Sequence, residues 1–452
     1  MLLLPMSFKL EQIRRDLIAN EKPSSFWDLV DSYLEKLDLK LIEAKSQGVL
    51  IAEQDPLKFV ASFIAAMDRK VPIILGNHRW GDSEWASFNR EFSPAVTFGL
   101  QEVAKENRAV FKEKDQGSIL IPTGGTSGDS LRFVIHRWES LEAQSLMVQS
   151  FLETQAINSI CCLPLFHVSG LMQVIRAIVS QGQILFCHLN DLEKASKAVA
   201  IKDFCVSLVP TQLSRLFSQD AMFPKMNQFR AIFLGGGPAD DLLLAKARDH
   251  ALPIVLSYGM TETAGMVCAQ SQEAFLSGDF SSGKPLPGVE VKLSEKDGFE
   301  ILQVYSKSLF YGYWGGQAFE RAEGFFTNDY GSFLKGGEVI IEGRVDNWII
   351  SGGEKINPKE IEDDLLASGY VESILVLGKD SKEWGQAMVA IVVPKEGFNQ
   401  QVLIDCMNQH LKQTLANHKL PKAYLFVEEL PILENGKRDN ARIMKLLDSV
   451  NV

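Results

Sequence analysis

Six short apolar runs limit what this chain can fold into more than any other feature. Ser118–Pro122, Ile160–Leu165, Gln183–Cys187, Phe204–Val209, Ala231–Gly235 and Pro253–Tyr258 alternate with longer helical stretches and are rich in Ile, Leu and Val. Spaced by roughly 20–30 residues and apolar on both faces, they read as buried, mostly parallel strands whose crossover helices cover the sheet. The expectation over residues 117–345 is therefore an α/β core.

After Gly283 the pattern changes. LPGVEVKLSEKDGFEILQV alternates apolar and polar residues around a Lys-Asp-Gly turn, as antiparallel strands do, so a β subdomain closes the first region. Further on, Asn357, Pro358 and Glu360 stand as N-cap, N1 and N3 of a helix that Gly369 ends. Two Val-rich strands, Ser373–Leu377 and Ala387–Val393, and a helix from about Gln401 to Thr414 follow, which makes a small α+β domain. The division expected is a large N-terminal domain, 1–345, and a small mobile C-terminal domain, 346–452. At roughly 150 residues per domain this suits the length, and each part can bury a core.

The 46 Lys and Arg against 57 Asp and Glu give a net charge of −11, which argues against broad nucleic-acid binding, because phosphate neutralisation needs clustered cations. A pocket for small anions needs only a local cation, so an anion-handling enzyme stays open. No signal peptide is read at the start. The window Ile160–Phe186 is interrupted by His167, Gln173, Arg176 and Gln181, so no membrane span is expected. Six cysteines without C-x-x-C spacing read as buried thiols of a cytoplasmic protein rather than as a disulfide framework or a zinc site.

The strongest local motif is Thr123-Gly124-Gly125-Thr126-Ser127-Gly128-Asp129-Ser130, set between an apolar strand and the alternating Leu131–Ile135. Three glycines let N–H groups converge on an anion and the hydroxyls of Thr123, Thr126 and Ser127 add donors, which suits a polyphosphate. The Walker A spacing is absent, and the loop runs into a strand rather than a helix. A polar hairpin turn is the bland alternative.

In order after this loop come Ser257-Tyr258-Gly259-Met260-Thr261-Glu262-Thr263, Thr327-Asn328-Asp329, Gly343-Arg344-Val345-Asp346, Ser351-Gly352-Gly353-Glu354-Lys355-Ile356 and Asn435-Gly436-Lys437. With them the sequence resembles the adenylate-forming superfamily of acyl- and aryl-CoA synthetases, luciferases and peptide-synthetase adenylation domains. The likeness covers residues 123–437; the first 115 residues carry none of the motifs and are assigned by position only.

The resemblance implies ATP, Mg²⁺ and coenzyme A as cosubstrates and cofactor, with a small-molecule acid as the other partner. It places Thr123, Gly124, Gly125, Thr126, Ser127 and Gly128 at the phosphates, and Thr261 at the α-phosphate. Tyr258 and Gly259 would lie against adenine, with Gly236 and Gly237 of Gly235-Gly236-Gly237-Pro238 on the other side. Glu262 would hold Mg²⁺, Asp329 would accept the ribose hydroxyls with Arg344 on the same sugar, and Lys437 would bridge carboxylate and α-phosphate. His167, in the aromatic gate motif Leu163–Gly170, would line the acyl site, and Asp346 would be the hinge. The chemistry fits these residue types: an attacking carboxylate and ATP repel each other, so cations and N–H donors must surround the transferred group. Two departures stand out: Arg132 where the family has a lysine shortly after the loop, and Asn328 where it has glycine.

Within the superfamily, Leu165–Gly170, Gly235–Ala239, Tyr258–Ala264 and Ser281–Pro287 are most similar to o-succinylbenzoate-CoA ligases of menaquinone and phylloquinone synthesis. Such an acid carries a second carboxylate that the pocket must meet. Arg176, in the otherwise apolar Leu171–Val179, is the candidate, against the alternative of an arginine reaching solvent from a helix end. Another acyl- or aryl-CoA synthetase, a carrier-loading adenylation domain and a non-catalytic binding protein are the rivals. A homo-oligomer is compatible with all of them.

Overall fold

The computed structural model describes residues 8–100, 110–123, 131–217, 223–395, 399–431 and 439–450. The chain forms two compact units. One comprises Met1–Lys292, Gln303–Phe326 and Phe333–Ile340, the other Leu293–Leu302, Thr327–Ser332 and Ile341–Val452.

The first unit holds two sheets. In the first, β1 (Val49–Ile51), β2 (Ile73–Leu75), β3 (Val96–Phe98) and β4 (Ile119–Thr123) run parallel in the order β3-β1-β2-β4. β5 (Arg132–His136) closes the edge antiparallel to β4, with Ile119 opposite His136 and Thr123 opposite Arg132. The loop therefore does run from strand to strand. Residues 49–98 supply three of the five strands, though no motif marks them.

The second sheet has the order β12-β11-β10-β9-β8-β6-β7. β6 (Asn158–Cys161), β7 (Ile184–Phe186), β8 (Phe204–Leu208), β9 (Ala231–Leu234) and β10 (Ile254–Met260) are parallel, as their two-sided apolarity requires. β11 (Gly265–Ala269) and β12 (Lys284–Pro285) turn back antiparallel. The helices Trp138–Phe151 and Val168–Val179 are buried along most of their length. The second can begin where it does because Gly170 lacks a Cβ, which would collide with the Pro164 carbonyl. No helix among the described residues is long and apolar enough to cross a membrane. All six cysteines are free thiols, and burial pushes Cys205 up to about 12.

β13 (Glu290–Lys296) and β14 (Phe299–Tyr305) form the expected hairpin, with Asp297 and Gly298 both at positive φ (53° and 74°), the backbone that a two-residue turn of this kind demands. β14 also pairs with β15 (Phe325–Phe326). β16 (Asp329–Phe333) and β17 (Val339–Arg344) form a two-stranded sheet.

In the second unit β18 (Ile349–Ser351), β19 (Glu354–Ile356), β20 (Val371–Ser381), β21 (Gly385–Pro394) and β22 (Ala423–Phe426) make one sheet. Its two-residue period is strict. Ile374, Val376, Met388, Ala390 and Val392 face Ile361, Leu365, Leu403 and Met407 of two helices, whereas Leu375, Val389 and Ile391 pack with Ile443 and Leu447. The helix Pro358–Ala367 starts as expected: Asn357 Oδ1 accepts from Lys359 N at 3.1 Å. Glu360 does not complete a capping box, however, because its carboxylate is taken by Lys419 Nζ at 2.6 Å. A tertiary cation outcompetes a backbone amide that water can reach.

Candidate active site

The parallel strands of the second sheet end at one edge, where α/β proteins bind ligands. β6 leads to His167, which is exposed, serves as N-cap residue of Val168–Val179 and lies 4.4 Å from the Phe166 ring. β9 leads to Gly235, Gly236 and Gly237, of which the last two are exposed and Gly236 has φ 84°. β10, paired to β9 through Leu256 and Leu234, carries Tyr258 at the same edge, half-buried. The register thus brings Tyr258 beside the glycine run, as the adenine reading needs.

β10 and β11 are joined by the turn Thr261–Thr263. Gly259 is required because a Cβ there would collide with the Gly265 carbonyl. Thr263, fully buried, closes the turn on itself: its Oγ1 accepts from Met260 N at 3.0 Å and lies 2.6 Å from Gly265 O. Glu262 accepts from Tyr313 OH at 2.7 Å through Oε1, and its carbonyl accepts from Phe310 N at 2.8 Å. Among the described residues its other carboxylate oxygen has no hydrogen bond. A lone carboxylate with an open oxygen fits Mg²⁺, which takes one or two carboxylates and completes its shell from phosphates and water.

Arg132 is exposed, with its guanidinium 4.3 Å from the centre of the Tyr313 ring. It stacks on the ring that bonds Glu262. His136 is fully buried; Nε2 is 2.7 Å from the Thr261 carbonyl and Nδ1 2.9 Å from Ser140 Oγ. Burial pushes the imidazole down to about 4, Arg321 adds to this, and the bond to Thr261 opposes it. Sequence reading missed both Tyr313 and His136, since each meets its partner across a long stretch of chain.

Arg176 does not reach solvent. It is 4% exposed and, among the described residues, is the only arginine or lysine in the buried interior. Its Nε and Nη2 each lie 3.3 Å from Gln144 Oε1, and the guanidinium stands 5.7 Å from the Phe233 ring centre. Burial lowers it to about 10, so it stays charged at neutral pH, and no described carboxylate pairs with it.

In the second unit, Asp329 is buried and accepts from Arg344 Nη1 at 3.0 Å. Arg344 Nη2 reaches Asp346 at 2.7 Å, and Asn328 Nδ2 reaches the other oxygen of Asp346 at 3.1 Å. Asn328 has φ 62°, a conformation asparagine tolerates, which explains why it can stand where glycine is usual. Thr327 Oγ1 orders the strand by accepting from Asp329 N at 3.0 Å. Thr123 is the last residue of β4. Gly124, Gly125, Thr126, Ser127, Gly128 and Lys437 lie outside the described residues.

Residues 36–314 match the profile of the family AMP-binding enzyme, and 360–437 that of the AMP-binding enzyme C-terminal domain. The chain belongs to this family. A 2-succinylbenzoate–CoA ligase of Bacillus cytotoxicus is 30% identical over 382 residues, 80% of this chain and 77% of the relative. Relatives of the same name from Listeria innocua and Bacillus licheniformis are each 33% identical, and the match spans 66% and 57% of their length, under two thirds. Among solved structures, o-succinylbenzoate CoA synthetase of Bacillus subtilis in complex with its acyl-adenylate intermediate superposes with TM-score 0.75 at 24% identity over 96% of both chains. The enzyme with ATP and magnesium gives 0.74. These likenesses establish the fold, and the expected α/β architecture with its C-terminal α+β region agrees with them.

Proposed function

We propose that this chain is an ATP-dependent acid–CoA ligase that works through an acyl-adenylate, with o-succinylbenzoate as the acid and menaquinone or phylloquinone synthesis as its setting. The observation that carries the acid is Arg176, a buried cation without a carboxylate partner among the described residues, in a member of the AMP-binding family. A desolvated guanidinium whose hydrogen-bond partner among the described residues is one amide oxygen is poorly compensated, and the spare carboxylate of a dianionic acid would complete it. A fatty acid has no group to offer.

In the first half-reaction the acid's reacting carboxylate attacks the α-phosphorus of ATP, and pyrophosphate leaves with the electrons of the broken P–O bond. Mg²⁺, when bound, would neutralise charge on the phosphates, and Glu262 would hold it through its open oxygen. Tyr258 with Gly236 and Gly237 holds adenine, and Asp329 the ribose, with Arg344 bonded to that carboxylate. Thr123 with Gly124–Gly128 cradles the phosphates and Thr261 touches the α-phosphate. Lys437 stabilises the charge on the transferring group. In the second half-reaction the coenzyme A thiolate attacks the acyl carbonyl and AMP departs, with His167 lining the acyl site.

The domains proposed are 1–345 and a mobile 346–452. Asp346, the hinge proposed, is bonded to Arg344 and Asn328, so a turnover-linked rotation there would act on these two contacts. We place the enzyme in the cytoplasm, where six unpaired thiols are expected.

The test is coenzyme A-dependent AMP release across a panel of acids. o-Succinylbenzoate should be the preferred acid, with palmitate and acetate poor. Preference for palmitate or acetate would overturn the substrate. Transfer to a carrier protein without coenzyme A turnover would favour a carrier-loading domain.

A further inference from the structure

We propose that His136 is a positioning residue for adenylation: by donating Nε2–H to the Thr261 carbonyl while Ser140 donates to Nδ1, it holds the turn that presents Glu262. The inference rests on the reading of Glu262 as the Mg²⁺ carboxylate.

β5 holds this turn at three points. At its start, Arg132 stacks on Tyr313, whose hydroxyl bonds the Glu262 side chain. In its middle, Ile135 N donates to Gly312 O at 2.9 Å and its carbonyl accepts from Tyr311 N at 2.8 Å, which fixes the segment carrying Tyr313. At its end, His136 bonds the turn's backbone. The turn needs an outside hold: Ala264 follows it with φ 55°, a left-handed conformation that alanine adopts at a cost and keeps only where its surroundings impose it.

The tautomer is determined by counting protons. A neutral imidazole has one N–H, and only Nε2 faces a carbonyl, so Nδ1 must accept. Ser140 Oγ has one proton and two acceptors in reach, Nδ1 and the Arg137 carbonyl, each at 2.9 Å. Giving it to Nδ1 satisfies both ring nitrogens. This is how an outer partner orients a group that meets metal and phosphate.

The test compares wild type, His136→Phe and His136→Gln by acid-dependent ATP–pyrophosphate exchange at varied Mg²⁺, and by electron paramagnetic resonance of Mn²⁺ bound with ATP, which needs no turnover. His136→Phe should weaken both metal readouts by about tenfold and leave the KM for the acid within about twofold. His136→Gln, whose amide can donate to the same carbonyl, should recover to within about threefold of wild type. Equal losses in both variants, or unchanged Mn²⁺·ATP binding in a folded His136→Phe, would overturn the proposal. If His136→Phe does not fold, Ser140→Ala takes its place, with about a threefold metal shift expected and no shift counting against the idea. Absence of exchange in wild type with every acid would sink the adenylation reading instead, leaving Mn²⁺·ATP binding to decide on His136.

Discussion

His136 and Arg176 are buried bases held by consecutive turns of one helix, yet they end in opposite charge states. Ser140 and Gln144 stand four residues apart on Trp138–Phe151, the first bonded to the imidazole and the second to the guanidinium. The imidazole gives up its proton and finds a partner for each nitrogen. The guanidinium keeps its charge and has one amide oxygen, at 3.3 Å. The difference lies in intrinsic basicity: burial costs both cations several kcal/mol, which suffices to deprotonate a histidine but not an arginine. A polar site that closes on itself has no capacity left for a ligand, whereas a charge that no described carboxylate pairs retains capacity for an anion.

Acid should break this comparison first. His136 has its folded pKa depressed from 6.5 to about 4, so the unfolded chain takes up the proton first as pH falls. The stability it contributes is whole above 6.5 and is lost progressively down to about 4, on the order of 3 kcal/mol across the window. Urea unfolding of wild type against His136→Gln, which cannot titrate, should show that difference. Parallel pH curves for the two proteins would mean that the histidine is not buried neutral.

Arg176→Met removes the unpaired charge at similar volume. The KM for o-succinylbenzoate should rise by about 10²-fold while that for ATP moves less than about twofold, as loss of one partner of a desolvated charge pair predicts. Unfolding free energy should stay level or increase, because no protein carboxylate is abandoned. Strong destabilisation with unchanged KM would make Arg176 a structural group like His136.

A paired arginine sharpens the contrast. Arg344 has two carboxylates, so Asp329→Asn should raise the KM for ATP by about tenfold through the lost ribose acceptor and leave that for the acid unaltered. Smallest is the helix cap: Asn357→Ala should lower stability by about 1 kcal/mol, measured by denaturant unfolding, with the KM for the acid unchanged.

The same division runs through what could be read in advance. Local backbone geometry leaves a local trace: the turn at Asp297 and Gly298, the cap at Asn357 and the Val-rich runs of β20 and β21 were each legible because neighbours in sequence impose them. The turn after Gly259 was legible for a related reason, since the close approach of the Gly265 backbone there tolerates no side chain. β1, β2 and β3, three residues each, are too short to show a period, and only their pairing with one another, and of β2 with β4, makes them strands.

By itself, then, the sequence determined the strand-and-helix alternation, the turns and the order of the nucleotide motifs, because these are conditions on neighbouring φ and ψ. Tertiary structure alone decided that Glu360 serves Lys419 rather than its own helix, that Arg176 lies inside with a glutamine amide as its partner, and that His136 grips Thr261 across 125 residues. Those outcomes turn on competition among partners brought together by packing, and on the loss of water around them, neither of which is written in any local pattern.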